Sequence, residues 1–244
     1  MISAVLLDFN GTLAESPEWM ALETKRLPEL ALARLAAQNA IPLPTSGQLA
    51  QAQAAFRAER QTANQTHRET SHNQNLRAVL AALGWAEQVT DAQIDETVAA
   101  LQRACLPGVS LLPGAAQTLA DLRLRGYRLG IVSNAAYPPF LRWVLERFDL
   151  ARYFEQVAIS AEAGWRKPGP EIFQSALRSM NLRASATLYV GDDYEKDVAA
   201  PLRLGLAALW YRPQTAAPFP QGAQAATTIT SLLEIPRWLE HNGS

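Results

Sequence analysis

Four short segments of this chain carry residue types able to do chemistry. They are Asp8-Phe9-Asn10-Gly11-Thr12-Leu13, Ser133-Asn134, Lys167-Pro168, and Gly191-Asp192-Asp193 with Asp197 just beyond. Carboxylate oxygens can act as nucleophiles or hold a hard cation, hydroxyl and amide groups can bond an anion, and an ammonium can neutralise one. Taken singly, each residue reads equally well as a turn residue, a helix cap or a solvated charge. Their joint meaning depends on whether the fold brings them to one place.

The flanking sequence predicts that it does. Residues 2–8 form an apolar run that ends in Asp8 and breaks into the Asn10-Gly11 turn. Similar runs recur at 127–132, 154–159, 187–190 and 206–211, separated by helical spacings at 114–125, 138–148, 169–180 and 195–204. Strands apolar on both faces that alternate with helices imply a parallel sheet covered on both sides, an α/β fold of Rossmann-like form. In such sheets the carboxyl ends of the strands form the ligand crevice, and Asp8, Ser133-Asn134 and Asp192 all stand at strand ends. Pro168, as a first helical residue, would set Lys167 at a helix start beside the same crevice.

Between residues 15 and 111 the strand signal disappears. Spacings such as Leu76, Val79, Leu80, Leu83 and Ile94, Val98, Leu101, Cys105 are helical. The expected organisation is therefore a core of residues 1–14 and 112–244 with an all-helical insert at 15–111. Ser16-Pro17 at its entrance, and Pro107-Gly108 and Pro113-Gly114 at its exit, suit hinges. Within the insert, Lys25 among Glu23, Arg26 and Glu29 reads as a solvated helix face. The polar stretch 57–77, with Arg60, His67, Arg68, His72, Asn73 and Asn75, reads as a solvated helix and turn. Residues 214–226 should form a surface loop, and 231–240 a closing helix interrupted by Pro236.

Composition narrows the function classes. The 22 Lys and Arg against 23 Asp and Glu leave a net charge of -1, so no basic field favours nucleic acid or an anionic membrane. Charged residues at 18% and hydrophobic residues at 48% fit a folded chain. Cys105 is the single cysteine and cannot form an intrachain disulfide. The start lacks a basic leader, and no apolar run approaches the ~20 residues that cross a bilayer, so the expected location is cytoplasmic.

In this order and on these strand ends, the four segments resemble the motifs of the haloacid dehalogenase superfamily. The resemblance spans nearly the whole chain, and the helical insert resembles the family's mobile cap of the first type. It implies a phosphohydrolase that uses Asp8 as nucleophile, through an aspartyl phosphate, on a small phosphorylated metabolite. Metal would be held by Asp8, Asp192 and the backbone carbonyl of Asn10, with Asp193 a rival ligand and Asp197 orienting Lys167 or metal-bound water. Thr12, Ser133, Asn134 and Lys167 would bind the substrate, with Lys167 also catalytic. Four carboxylates around one lysine call for a cation, since like charges ~4 Å apart repel by ~4 kcal/mol at an effective dielectric of 20. Oxygen-only donors suit Mg²⁺.

Asn10 departs from the pattern. The family's phosphatases normally carry an aspartate there, which protonates the leaving oxygen and then activates water. An amide cannot cycle a proton near neutral pH, and a positioned acid or base is worth ~10² to 10⁴ in rate. Three explanations stand open: a good leaving group such as an acyl or aryl phosphate, an acid supplied by the cap (His67 or His72), or turnover traded for binding. The last would make the chain a non-catalytic phosphoryl-ligand or partner binder. Family members that lack this acid include dehalogenases and phosphonate-cleaving enzymes. The Gly191-Asp192-Asp193 cluster argues against the first, and the solvated setting expected for Lys25, the insert's lone lysine, against the second.

Overall fold

The computed structural model describes residues 1–213 and 227–242, so the loop expected at 214–226 lies outside the described residues. Two compact units emerge. A sheet unit comprises Met1–Glu15, Ser110–Asn134 and Leu145–Ser244, and a helical unit comprises Ser16–Val109 and Ala135–Val144. The helical unit thus takes a segment, 135–144, that the sequence reading left with the sheet.

The sheet unit is built on six parallel strands. These are β1 (Ala4–Leu7), β4 (Arg128–Ser133), β5 (Gln156–Ile159), β6 (Thr187–Gly191), β7 (Ala207–Tyr211) and the short β8 (Thr228–Ile229), in the order β5-β4-β1-β6-β7-β8. Every residue of β1 and β6 is buried, as expected of central strands covered on both faces. The helices of this unit are α6 (Ala115–Leu124), the end of α7 (Pro138–Arg147), α8 (Ser160–Ala163), α9 (Pro170–Ser179), α10 (Ala200–Arg203) and α11 (Ile235–Asn242). Leu6, Val132 and Tyr189 from the sheet pack with Ile172, Phe173 and Ala176 of α9 into one core cluster.

Several local expectations change. Pro170, rather than Pro168, opens α9, so Lys167 lies in the connection before the helix. The helix expected at 195–204 begins as a π-turn, Tyr194–Ala199, and only then becomes α10. Pro236 does not interrupt the last helix. It is the second residue of α11, where a missing N–H has no intrahelical partner to lose. At the expected hinges, β2 (Ala14–Glu15) pairs antiparallel with β3 (Ser110–Leu111), and Ser16 caps the next helix by accepting from the Trp19 N–H at 3.3 Å.

The helical unit holds α1 (Pro17–Ala21), a π-turn at Leu22–Arg26, α2 (Leu27–Ala37), α3 (Ser46–Thr66), α4 (His72–Ala82) and α5 (Asp91–Cys105). Thr45, Ser71 and Thr90 each form a reciprocal capping box with a glutamine three residues on, which fixes where α3, α4 and α5 begin. Trp19 stacks on Phe140 of α7 with ring centroids 4.8 Å apart. Cys105 is buried, as its helical face predicts.

Three residues read as solvated, Glu23, His72 and Asn75, are buried. Lys25, Arg26 and Glu29 are exposed, but Glu23 is only 6% exposed and His72 is fully buried. The reason for Glu23 is its phase: with Trp19 and Leu27 it falls at four-residue spacing on the packed side. The polar stretch is likewise internally bonded, with Arg60 paired to Glu69 at 2.8 Å and Thr70 bonded to the buried Asn75 at 2.9 Å.

Candidate active site

The chain leaves β1 toward β4 and β5 on one side, then returns to lay β6, β7 and β8 on the other. The carboxyl ends of β1 and β6 therefore flank the point where strand order reverses, the usual crevice of an open α/β sheet. Asp8 directly follows β1, and its N–H donates to the Val190 carbonyl of β6 at 2.9 Å. The Phe9 carbonyl then accepts from the N–H groups of Thr12, Leu13 and Ala14, closing a tight turn with Gly11 at φ 87°. A β-carbon on Gly11 would lie 2.5 Å from an Asp192 carboxylate oxygen, and one on Gly191 would lie 2.4 Å from Asp197. Bare backbone at both positions lets the carboxylates close in.

Lys167 is 2% exposed, and its three N–H donors have three acceptors. Nζ lies 2.8 Å from Asp8 Oδ1, 2.7 Å from Asp197 Oδ1 and 2.9 Å from the Tyr189 hydroxyl. Burial alone would favour the neutral amine, but the Asp197 and Asp8 charges reverse this and hold the ammonium well above its usual range. Burial pushes the Tyr189 phenol well up, so it stays protonated and donates onward to the Val132 carbonyl at 2.9 Å. The backbone of Lys167 is held as well, because the Asn134 amide bonds both its carbonyl (2.9 Å) and its N–H (2.8 Å).

The acidic groups sort by what already bonds them. Asp197 gives one oxygen to Lys167 and the other to the Asp193 N–H at 3.0 Å; burial pushes it up to about 6 against the pull of Lys167. Asp193 caps the π-turn and pairs with Lys196, which holds it below the ordinary aspartate value despite burial. Asp192 is different. Among the described residues its carboxylate has one hydrogen bond, from the Thr12 hydroxyl at 3.5 Å. Although its surface is exposed, it is pushed up to about 7, first by desolvation among its neighbours and then by the charges of Asp8 and Asp197. Ligand oxygens of Asp8, Asp192 and Asp197 lie within 4.8 Å of one another.

The structure thus gathers Asp8, Thr12, Lys167, Asp192 and Asp197. Asn10 sits in the turn after β1, and Ser133 is the buried last residue of β4. Asn134, expected to face the substrate, is committed to the Lys167 backbone, and Asp193 to Lys196. Sequence reasoning missed Tyr189 and Trp210, whose indole N–H donates to the Asp192 carbonyl at 2.9 Å. The signal for Tyr189 was available: a phenol inside an otherwise apolar, doubly covered strand must find a polar partner.

A model of the haloacid dehalogenase-like hydrolases matches residues 2–205. The chain belongs to that family. Relatives of this haloacid dehalogenase-like hydrolase include a glyceraldehyde 3-phosphate phosphatase of Pyrococcus abyssi, 36% identical over 41% of this chain and 42% of that one. A pyrimidine 5′-nucleotidase of Escherichia coli is 33% identical over 64% and 68%, respectively. The matched stretch spans about two fifths of the length of the first curated relatives. Among solved structures, a 2-haloacid dehalogenase of Pseudomonas syringae superposes over 99% of both chains with a TM-score of 0.72 and 26% identity. A phosphatase of the family from Thermococcus onnurineus, at 21% identity and a TM-score of 0.64 over 98% of both chains, shares the fold. Among the described residues, no helix is long and apolar enough to cross a membrane.

Proposed function

We propose that this hydrolase is a Mg²⁺-dependent phosphohydrolase that works through an aspartyl phosphate on Asp8, restricted to small phosphorylated substrates with good leaving groups. The observation that carries this reading is the meeting of the Asp8, Asp192 and Asp197 carboxylates, whose oxygens lie within 4.8 Å of one another, with one weak bond to Asp192 among the described residues. A cation there would relieve the repulsion. The donors are all oxygens, so the residues fit Mg²⁺, with Asp8, Asp192 and the Asn10 carbonyl as its ligands. Once bound, it would supply positive charge next to the transferring phosphoryl group.

The rest falls to the chain itself. An Asp8 oxygen attacks phosphorus as the ester P–O bond breaks and the leaving oxygen departs with the bonding pair. Water then attacks the aspartyl phosphate, releasing inorganic phosphate and restoring Asp8. Lys167 and the Ser133 hydroxyl stabilise the equatorial oxygens, while the Thr12 hydroxyl, expected to bind substrate, bonds Asp192. Nothing at position 10 can hand a proton to an alkoxide, so aryl and acyl phosphates, whose leaving groups need none, suit the site. The helical unit serves as the cap that excludes water.

The test is p-nitrophenyl phosphate and acetyl phosphate turnover with Mg²⁺. Both should be hydrolysed, and Asn10→Asp should raise turnover of alkyl phosphates by ~10² to 10⁴. Metal-independent turnover, or activity that survives Asp8→Ala, would sink the proposal. A second reading, dehalogenation, is favoured by the full-length superposition on the Pseudomonas syringae enzyme; chloride release from 2-chloropropionate without phosphatase activity would establish it. Metal-dependent phosphate binding without turnover would instead make the protein a binder.

A further inference from the structure

We propose that Glu23 is a positioning residue for Lys167, acting through a short tether of backbone at residues 134–136; the catalytic part of this inference rests on the phosphohydrolase reading. The chain passes from the sheet unit to the helical unit between Asn134 and Ala135. On either side of that crossing, it is gripped at more than one point.

On the helical side the grip is on Ala136. Its N–H donates to the Glu23 carboxylate, with both oxygens within reach at 3.1 and 3.3 Å, and its carbonyl accepts from the His72 N–H at 2.9 Å. Both polar atoms of one residue are therefore fixed from two separate elements, the π-turn and the start of α4. The His72 ring backs this up, with Nε2 3.6 Å from Glu23 Oε1 and Nδ1 2.7 Å from the Gln102 amide nitrogen. A buried carboxylate on a buried N–H is a charge-assisted bond, stronger than a neutral one and costly to leave unmade.

On the sheet side the grip is the two-point bond between the Asn134 side chain and the Lys167 backbone. Asn134 and Ala136 are two residues apart, so their Cα atoms are separated by about 7 Å at most. Ordering at Ala136 is thereby passed to Asn134, and from Asn134 to the backbone that carries the Lys167 ammonium. Glu23 acts at the far end of the tether, through its bonds to the Ala136 N–H.

The experiment is amide hydrogen exchange on the full chain, paired with p-nitrophenyl phosphate kinetics, for Glu23→Ala, Asn134→Ala and the double variant. Glu23→Ala should speed exchange of the Lys167 amide about tenfold and lower kcat by a similar factor with KM little changed, and Glu23→Gln, which keeps an acceptor, should restore most of both. With Asn134→Ala already present, Glu23→Ala should add nothing at Lys167. An unchanged Lys167 amide in Glu23→Ala, additive effects in the double variant, or faster exchange spread evenly over the protein would overturn the proposal. An inactive wild type would sink the phosphohydrolase reading alone, because the exchange pattern still decides the tether.

Discussion

Lys167 in the sheet unit and His72 in the helical unit are both buried bases, yet burial leaves the first charged and the second neutral. The difference lies in the distance to carboxylate oxygen and in the sign of the neighbouring charge. Two carboxylates bond Lys167 directly at 2.7 and 2.8 Å. The closest approach of Glu23 to the His72 ring is 3.6 Å, while Gln102 faces the other ring nitrogen and the Arg60 charge disfavours a second proton. Burial therefore lowers His72 to about 3. A buried base stays charged where carboxylates reach it at hydrogen-bond length, and desolvation wins where they do not.

The contrast can be broken most severely at Lys167. Replacing it with methionine leaves Asp8 and Asp197 facing each other without a cation, and removing one partner of a buried pair typically costs about 3–5 kcal/mol. Urea unfolding should show that loss, and turnover should fall by roughly 10²-fold or more as an electrostatic donor disappears. A Lys167→Met protein of wild-type stability would mean that the pair contributes little.

His72 offers the opposite test, because its effect depends on pH. The native ring refuses a proton that the unfolded chain accepts below about 6.5, so stability falls as pH drops from 6.5 toward about 3. The slope from this residue is up to about 1.4 kcal/mol per pH unit. Unfolding free energies measured across that window should flatten by this amount in His72→Asn; an unchanged slope would mean that the native ring is already protonated. Smaller still is Tyr189→Phe, which deprives the Lys167 ammonium of one acceptor and should cost about 1–2 kcal/mol while leaving both ion pairs in place. Thermal unfolding resolves a change of that size.

Five strands of the sheet were legible as apolar runs, and β1, β4 and β6 run directly into polar residues; the two-residue β8 carries no such signal. Asp8 and Asp192 could be grouped on that ground, whereas Lys167 was placed beside them by a helix start that the structure moves from Pro168 to Pro170. The helical unit was legible as helix but not as polar interior. The spacing of Glu23 with Trp19 and Leu27 marks it as buried, yet its charged neighbours Lys25, Arg26 and Glu29 dominate a reading by composition. Nothing local shows that residues 135–144 leave the sheet unit, because the partners of Ala136 and Phe140 lie more than sixty residues away in the chain. Asn134 was placed at the right strand end, but its bonds to the Lys167 backbone could not be read, because they are long-range in sequence.

The pairing of β2 with β3 recasts the insertion itself. Glu15 and Ser110 are cross-strand partners, so the main segment of the helical unit, Ser16–Val109, is topologically the loop of a β-hairpin. Closing a loop grows costlier only logarithmically with its length, about 0.6 kcal/mol per doubling. Five helices therefore hang from the sheet unit at an entropic cost only about 3 kcal/mol above that of a four-residue turn. The pairing of β2 with β3 does not depend on the length of that loop, whereas residues 135–144 do depend on its contents, since Glu23, His72 and Trp19 hold Ala136 and Phe140.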